Sequence, residues 1–335
     1  MSNSPPDRNL ALELVRVTEA AAMAAAQHQG KANKDAVDQA AVDAMRSVLS
    51  SVDMDGIVVI GEGEKDEAPM LYNGERVGNG APLLMDVAVD PVDGTRLTAE
   101  GGPGALAVIG AAQRGSMYAP GSLVYMDKIA VGEEAAGSID LDAPVAENLN
   151  RVAAALEKSP SNVTAIILDR PRNVDLITEV REAGARIRLI RDGDISAAIA
   201  TCIPDSGIDI LLGVGGSPEA VTAVCALAAL GGEMQCRLWP RDDSERKYAK
   251  AEGHDLTKVL SNTDLVNSDN TFFAATGVTN GELLNGVRYS SGRAETHSVV
   301  MRSKTGTVRF MEATHRFDRL ENLADYVTSD HITQS

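Results

Sequence analysis

Residues 83–95 read Leu83-Leu84-Met85-Asp86-Val87-Ala88-Val89-Asp90-Pro91-Val92-Asp93-Gly94-Thr95, an apolar run that ends in two carboxylates and a helix-start signal. The run from Leu83 to Val89 has the length and composition of a buried strand. On this reading Asp90 sits where the strand leaves the sheet, and Asp93 lies one turn further on. Pro91 has no N–H to lose, and Gly94 lets the backbone approach a ligand closely. Thr95 brings a hydroxyl, and the free N–H groups around it would hold a phosphate oxygen. Two carboxylates this close repel each other unless a cation lies between them. Hard oxygen ligands of this kind suit Mg²⁺ or Mn²⁺ better than zinc. Taken alone, an Asp-Pro turn with a helix cap explains the hexapeptide equally well.

The same pattern recurs upstream. Gly56-Ile57-Val58-Val59-Ile60 is a short β-branched strand that runs into Gly61-Glu62-Gly63-Glu64-Lys65-Asp66-Glu67, so a second strand also ends in clustered acids. Further back, the stretch from Asp35 to Arg46 has helical periodicity and carries Asp35, Asp38 and Asp43, more acid than capping requires. Asp35, Asp43 and Glu67 read as a solvated face. Glu62, Asp90 and Asp93 read as metal ligands, because open α/β sheets place their sites at the carboxyl ends of strands.

Along the chain, strands and helices alternate. Asn9 to Gln29 and Asp35 to Ser51 read as helices, followed by strands near Ile57, Met85, Leu106 and Val124 and a helix from Pro144 to Leu156. Pro160 marks a boundary. Beyond it a βα rhythm takes in Val163 to Leu168, a helix around Ile177 to Ala183, Ile187 to Ile190, Ile208 to Leu212 and a helix from Pro218 to Leu230. Val299 to Arg302 and Thr307 to Phe310 read as a hairpin around Gly306. Alternation of this kind predicts a layered α/β fold. The division falls into an N-terminal part, residues 1–157, and a C-terminal α/β part, residues 158–335.

Composition narrows the function. The chain has 335 residues, enough for one large core or two smaller ones. Apolar residues make up 44% but aromatics only 3%, so the core is aliphatic and rich in alanine. The net charge of −17 argues against nucleic acid, whose phosphates need a basic surface. An enzyme of anionic sugar phosphates would have to offset that charge with bound cations and a local Arg/Lys cluster. Cys202, Cys225 and Cys236 show no paired spacing and read as small apolar residues of a reducing cytoplasm. No signal peptide and no membrane-spanning stretch is expected.

With these residues in view, the chain resembles the lithium-sensitive, metal-dependent phosphatases, a superfamily that includes inositol monophosphatases and fructose-1,6-bisphosphatases. The match rests on Asp-Pro-Val-Asp-Gly-Thr preceded by Ile60-Gly61-Glu62-Gly63-Glu64. It is most similar to the class II fructose-1,6-bisphosphatases of bacteria, over nearly its whole length. The blocks Glu13 to Ala20, Glu67-Ala68-Pro69-Met70-Leu71-Tyr72, Asp192-Gly193-Asp194, Gly213 to Glu219, Ser268-Asp269-Asn270 and Ala275 to Thr279 carry that closer match.

The resemblance implies a layered α/β/α/β/α sandwich and a reaction at the 1-phosphate of fructose 1,6-bisphosphate with Mg²⁺ or Mn²⁺. Asp38, Glu62, Asp90, Asp93 and Glu219 would hold the metals, although Glu219 on local grounds is equally a helix-capping acid. Thr95 paired with Asp66 would activate water. Arg170 and Arg172, otherwise an ordinary surface pair, would clamp the distal phosphate with help from Lys128. Asp192 and Asp194 would accept sugar hydroxyls, and Asp93, Gly94, Thr95, Tyr125 and Gly216 complete the substrate surface. Sedoheptulose 1,7-bisphosphate, an inositol phosphate and a non-catalytic sugar-phosphate binder are the competing readings. The family forms dimers and tetramers, so a homodimer or homotetramer is expected.

Several positions depart from the family pattern. Gly30-Lys31-Ala32-Asn33-Lys34 stands where Gly-Arg-Gly-(Asp/Glu)-Lys is usual, and Gln39 follows Asp38. Gly104 replaces an Asn, and Asn173 replaces the His after Arg-Pro-Arg. None removes a proposed ligand; they bear on substrate choice and rate. The five histidines show no ligand spacing.

Overall fold

The computed structural model describes residues 10–61 and 71–320. Two helices open it, α1 (Ala11–Ala26) and α2 (Lys34–Leu49). Almost all of α1 is buried, as its run of alanines allows. Asn33, which stands where the family pattern has an acid, caps α2, its side chain accepting the Ala36 N–H at 3.1 Å. Ala32 just before it has φ of 55°, a left-handed value that favours glycine.

Strands β1 (Asp55–Ile60), β2 (Arg76–Val77) and β3 (Leu84–Asp93) follow, then α3 (Thr95–Glu100) and β4 (Leu106–Gln113). The middle of the chain contains β5 (Tyr125–Val131), α4 (Val145–Ala155), β6 (Thr164–Leu168), α5 (Val174–Glu182) and β7 (Arg186–Ile190). It continues with α6 (Asp194–Ala200), β8 (Ile210–Gly216), α7 (Ser217–Leu230) and β9 (Glu233–Leu238). The last elements are α8 (Asp243–Ala251), α9 (Asn262–Leu265), β10 (Phe272–Gly277), β11 (Arg288–Ser290), β12 (Arg293–Arg302) and β13 (Thr307–Arg316).

The strands form two sheets. The first has the order β11-β12-β10-β4-β3-β1-β2, with β13 also paired to β12; the second has the order β7-β6-β8-β5-β9. Parallel pairs, β1 with β3 and β6 with both β7 and β8, sit among antiparallel ones. The burial pattern explains the stacking. Helices α1 and α2 cover one face of the first sheet through Val87, Val89, Ile109 and Phe272. Helices α6 and α7 lie between the sheets, touching Val108, Phe273 and Val299 on one side and Met126, Ile166 and Leu211 on the other. Helices α4 and α5 close the far face of the second sheet over Ile129, Ala165 and Ile167. The layers are therefore α/β/α/β/α, as the resemblance implied. Among the described residues no helix is long and apolar enough to cross a membrane.

Two expectations need correction. The strand through Val89 does not end at Asp90: β3 continues to Asp93, so both acids belong to it. Its register against β4 shifts between Asp90 and Asp93, and such a break is where a strand tolerates Pro91, which has no N–H for the ladder. Sequence periodicity also overlooked α6, α8, β9 and β10. Cys225 and Cys236 are buried as expected, whereas Cys202 is half-buried.

Candidate active site

A cavity of about 580 Å³ opens at the carboxyl ends of β1 and β3, facing the region where β8 runs into α7. Its wall includes Asp38 of α2, Asp90 and Asp93 of β3, Thr95 of α3, Glu219 of α7, and Asp192 in the turn between β7 and α6. Both sheets thus contribute through strand ends or the turns that follow them, the position that open α/β sheets reserve for ligands. Glu62 and Asp66 lie outside the described residues; Gly61, immediately before them, lines the cavity.

Asp93 is 4% exposed, and its Oδ2 is buried without a hydrogen-bond partner. The same is true of Glu219 Oε2. Burial drives the Asp93 carboxyl well above the usual carboxylate range, and the nearby Asp194, Glu219 and Asp192 push it further in the same direction. Burial likewise raises Glu219, with Asp194 the next cause. Buried anionic oxygens without partners are costly, and a hard divalent cation is the group whose charge and coordination would satisfy both. The donors therefore fit the implied metal. Among the described residues, however, no three acidic, His or Cys side chains converge into a ready-made cage.

The other two acids make local contacts. Asp90 Oδ1 accepts the Val92 N–H at 3.1 Å. Asp38 Oδ1 accepts the Thr95 hydroxyl at 2.7 Å, and the same hydroxyl lies 3.1 Å from the Val92 carbonyl. Burial raises the Asp38 pKa, and the Thr95 bond opposes that rise. Thr95 is placed by Gly94, which takes φ of 97° at the start of α3. A Cβ there would approach Leu97 and Ala105 within 3.1–3.3 Å.

The remaining candidates divide into two groups, neither of them on the cavity wall except through Asp192. At the end of β6, Arg172 Nε donates to the Val214 carbonyl at 2.9 Å and its guanidinium stacks 4.2 Å from the Tyr125 ring centre. Arg170 lies 3.8 Å from Asp192, which links the arginines to the cavity. Burial raises the Asp192 pKa and Arg170 counters it. Behind the wall, the buried Lys128 ammonium donates to Asp194 Oδ2 and, at 2.9 Å, to the Gly216 carbonyl. Gly216 leaves room for Glu219: a Cβ would fall 1.6 Å from Glu219 Oε2 and oblige that carboxylate to move.

Three contributors escaped sequence reasoning. Asn173 braces β6 to β8, donating to the Leu168 and Val214 carbonyls at 3.0 and 3.2 Å and accepting the Val214 N–H at 2.8 Å. Trp239 meets Tyr125 edge-on with ring centres 6.3 Å apart, and Arg241 lies 6.0 Å from the same ring. Only Asn173 gave a signal, as a departure beside Arg172; the other two are distant in sequence from Tyr125.

The chain matches the family model described as bacterial fructose-1,6-bisphosphatase, glpX-encoded, over residues 8–315. It is 45% identical over 326 residues to fructose-1,6-bisphosphatase 1 class 2 of Escherichia coli (strain K12), covering 93% of this chain and 96% of that protein. It has the same identity and coverage with the fructose-1,6-bisphosphatase class 2 of Shigella flexneri. A match of this extent, on a layered fold with paired orphan acids at its strand ends, places the chain in the glpX-encoded family of bacterial fructose-1,6-bisphosphatases.

Proposed function

We propose that the protein is a divalent-metal-dependent phosphatase that hydrolyses the 1-phosphate of fructose 1,6-bisphosphate, releasing fructose 6-phosphate and inorganic phosphate. One observation supports this beyond family membership: the unpartnered buried oxygens of Asp93 and Glu219 at one cavity. Asp38, Glu62, Asp90, Asp93 and Glu219 would hold Mg²⁺ or Mn²⁺, which supplies Lewis-acid stabilisation of phosphoryl charge. Residues 1–157 provide four of these ligands, and residues 158–335 provide Glu219 and most of the substrate contacts.

The chain's own groups do the rest. The Thr95 hydroxyl, held at Asp38, stands at the cavity to orient the attacking water, with Asp66 as its partner for the proton. The N–H groups around Gly94 and Thr95 receive the reacting phosphate. Arg170 and Arg172, with Tyr125 as a platform, bind the distal phosphate, while Asp192, Asp194, Lys128 and Gly216 shape the sugar side. The enzyme acts in the cytoplasm as a homodimer or homotetramer, which light scattering on the purified protein would test.

The deciding experiment is phosphate release from fructose 1,6-bisphosphate, sedoheptulose 1,7-bisphosphate and an inositol monophosphate, with Mg²⁺ and then Mn²⁺. Fructose 1,6-bisphosphate should give the highest kcat/KM, and chelation should abolish turnover. Asp90→Asn should lower kcat by about a hundredfold or more, as loss of a strong transition-state stabiliser does. Wild-type turnover in that variant would sink the metal-site assignment.

A further inference from the structure

Lys128 lies in the middle of β5 and opens its continuously buried half, residues 128–131. Its ammonium is 3% exposed and pairs with Asp194, itself 7% exposed, at the start of α6. A second bond of that ammonium goes to the Gly216 carbonyl at 2.9 Å, on the last residue of β8 before the helix that bears Glu219. The backbone closes tightly over the pair. A Cβ on Gly215 would lie 2.1 Å from Asp194 Oδ2 and 2.8 Å from the Lys128 nitrogen. Around it stand Asp93 and Glu219, each with a buried oxygen that meets no donor. Of the charged groups acting on Asp93 and Glu219, Asp192 and Asp194 are repulsive to both and Lys128 is the attractive one.

Charges buried this deeply persist only when they are paired. Asp194 meets that condition through Lys128, and the ammonium stands beside the two acids, Asp93 and Glu219, whose buried oxygens have no donor of their own. Long, exposed lysines of the kind that capture phosphate keep their ammonium in water; this one is sealed away, with its bonds committed to the protein. We propose that Lys128 is a positioning residue that serves as a built-in cation: anchored between Asp194 and the Gly216 carbonyl, it holds the carboxylates of Asp93, Asp194 and Glu219 in place when the divalent cations leave. This goes beyond the substrate contact considered for Lys128 and rests on the metal-dependent reading of the site.

The test compares wild type, Lys128→Met, Asp194→Asn and the double variant K128M/D194N, each stripped of metal and then titrated with Mn²⁺. Thermal unfolding, calorimetric Mn²⁺ binding and the KM of the Mn²⁺-loaded enzyme for fructose 1,6-bisphosphate are the readouts. Metal-free K128M should melt about 5–10 °C below wild type, the scale expected for breaking a buried ion pair. Saturating Mn²⁺ should raise its Tm at least twice as much as it raises that of wild type. The double variant, which removes both charges, should recover at least half of the metal-free loss. An unchanged metal-free Tm with a raised KM would make Lys128 a substrate ligand and overturn the proposal. A lowered Tm that neither Mn²⁺ nor the second substitution repairs would make it plain packing and also overturn it. If K128M does not fold, D194N decides: it should weaken the effect of stripping metal, and the same Tm dependence as wild type counts against the proposal. Failure of wild type to bind Mn²⁺ at all would instead refute the metal site itself.

Discussion

At the scale of single residues, the Thr95 hydroxyl is the most testable group. It bonds Asp38 at 2.7 Å across 57 residues of chain. Thr95→Val keeps shape and branching while deleting that bond. If the hydroxyl orients water, kcat should fall by a hundredfold or more with substrate binding retained, and Thr95→Ser should restore part of the rate. If it only fastens α3 to α2, the cost should be about 1 kcal/mol of stability with turnover nearly intact. Melting temperature and kcat on the same two variants separate these outcomes. Arg172 offers a second test. Its stacking on Tyr125 and its bond to the Val214 carbonyl fix the guanidinium. Arg172→Ala should therefore raise KM for a bisphosphate far more than it lowers kcat, since the distal phosphate is bound alike in ground and transition states. A monophosphate substrate should be nearly indifferent; equal damage to both would assign Arg172 to the scissile phosphate or to the fold. These residues were legible as candidates because acids and arginines cluster beside strand ends. Their partners were not: Asp38 for Thr95 and Tyr125 for Arg172 come from chain folding over long separations that periodicity does not encode.

At the scale of elements, α1 lies against β12 and β13 with an acid in the contact. Glu19 is 8% exposed, accepts the Thr296 hydroxyl at 3.3 Å, and lies 3.8 Å from His315 Nε2. Burial pushes its pKa from an ordinary 4.5 to about 7, outweighing the opposing Thr296 bond and Arg16 charge. A carboxyl whose folded-state pKa lies above the unfolded one favours folding while protonated, so stability is lost as pH rises from about 4.5 through 7. His315, lowered by burial, works in the opposite sense as pH falls. Above pH 8 the histidine is neutral in both states, and Glu19 acts alone. Glu19→Gln should then stabilise the protein by on the order of 3 kcal/mol at pH 8 and have little effect near pH 4. Parallel Tm–pH curves for the two proteins would dismiss this account. Sequence reading located α1 but gave its acid no place in the fold, because helical periodicity shows which faces are apolar and not which polar group a neighbouring sheet will cover. For the same reason the elements that pattern reading recovered are those with strong local patterning, among them α1, α2, β6, α5, β7, β8 and α7, while α6 between them was missed. Strand β10 escaped because all six of its residues are buried, leaving no alternation to see.

At the scale of the whole molecule, the two sheets interleave along the chain. The first takes residues 55–113 and then 272–316, and the second takes residues 125–238 between them. Strand β4 pairs with β3 on one side and with β10 on the other. A division at residue 157 is thus a proposal about who supplies the site and not about what folds alone. A fragment of residues 1–157 would keep β1 to β4 without β10, leaving apolar β4 with an open edge, and it would carry β5 without its partners β8 and β9. It should be insoluble or unfolded by circular dichroism when expressed alone. A soluble, cooperatively melting fragment would show that the first sheet needs no completion. The layered class was legible from alternation; the return of the last strands into the first sheet was not, since strand order is a long-range property.

That return has a consequence for biosynthesis. The strands of the second sheet emerge from the ribosome in one continuous stretch, with every pairing partner available by residue 238. The first sheet, although begun earlier, must wait for the final strands, so β4 leaves the exit tunnel well before the neighbour that seals its edge. During that interval an almost wholly apolar strand, Leu106–Gln113, is exposed as a template for pairing with other nascent chains. The rate at which the last quarter of the chain is translated therefore governs how long each molecule is vulnerable to aggregation, and slowing that stretch lengthens the hazard without altering the finished enzyme.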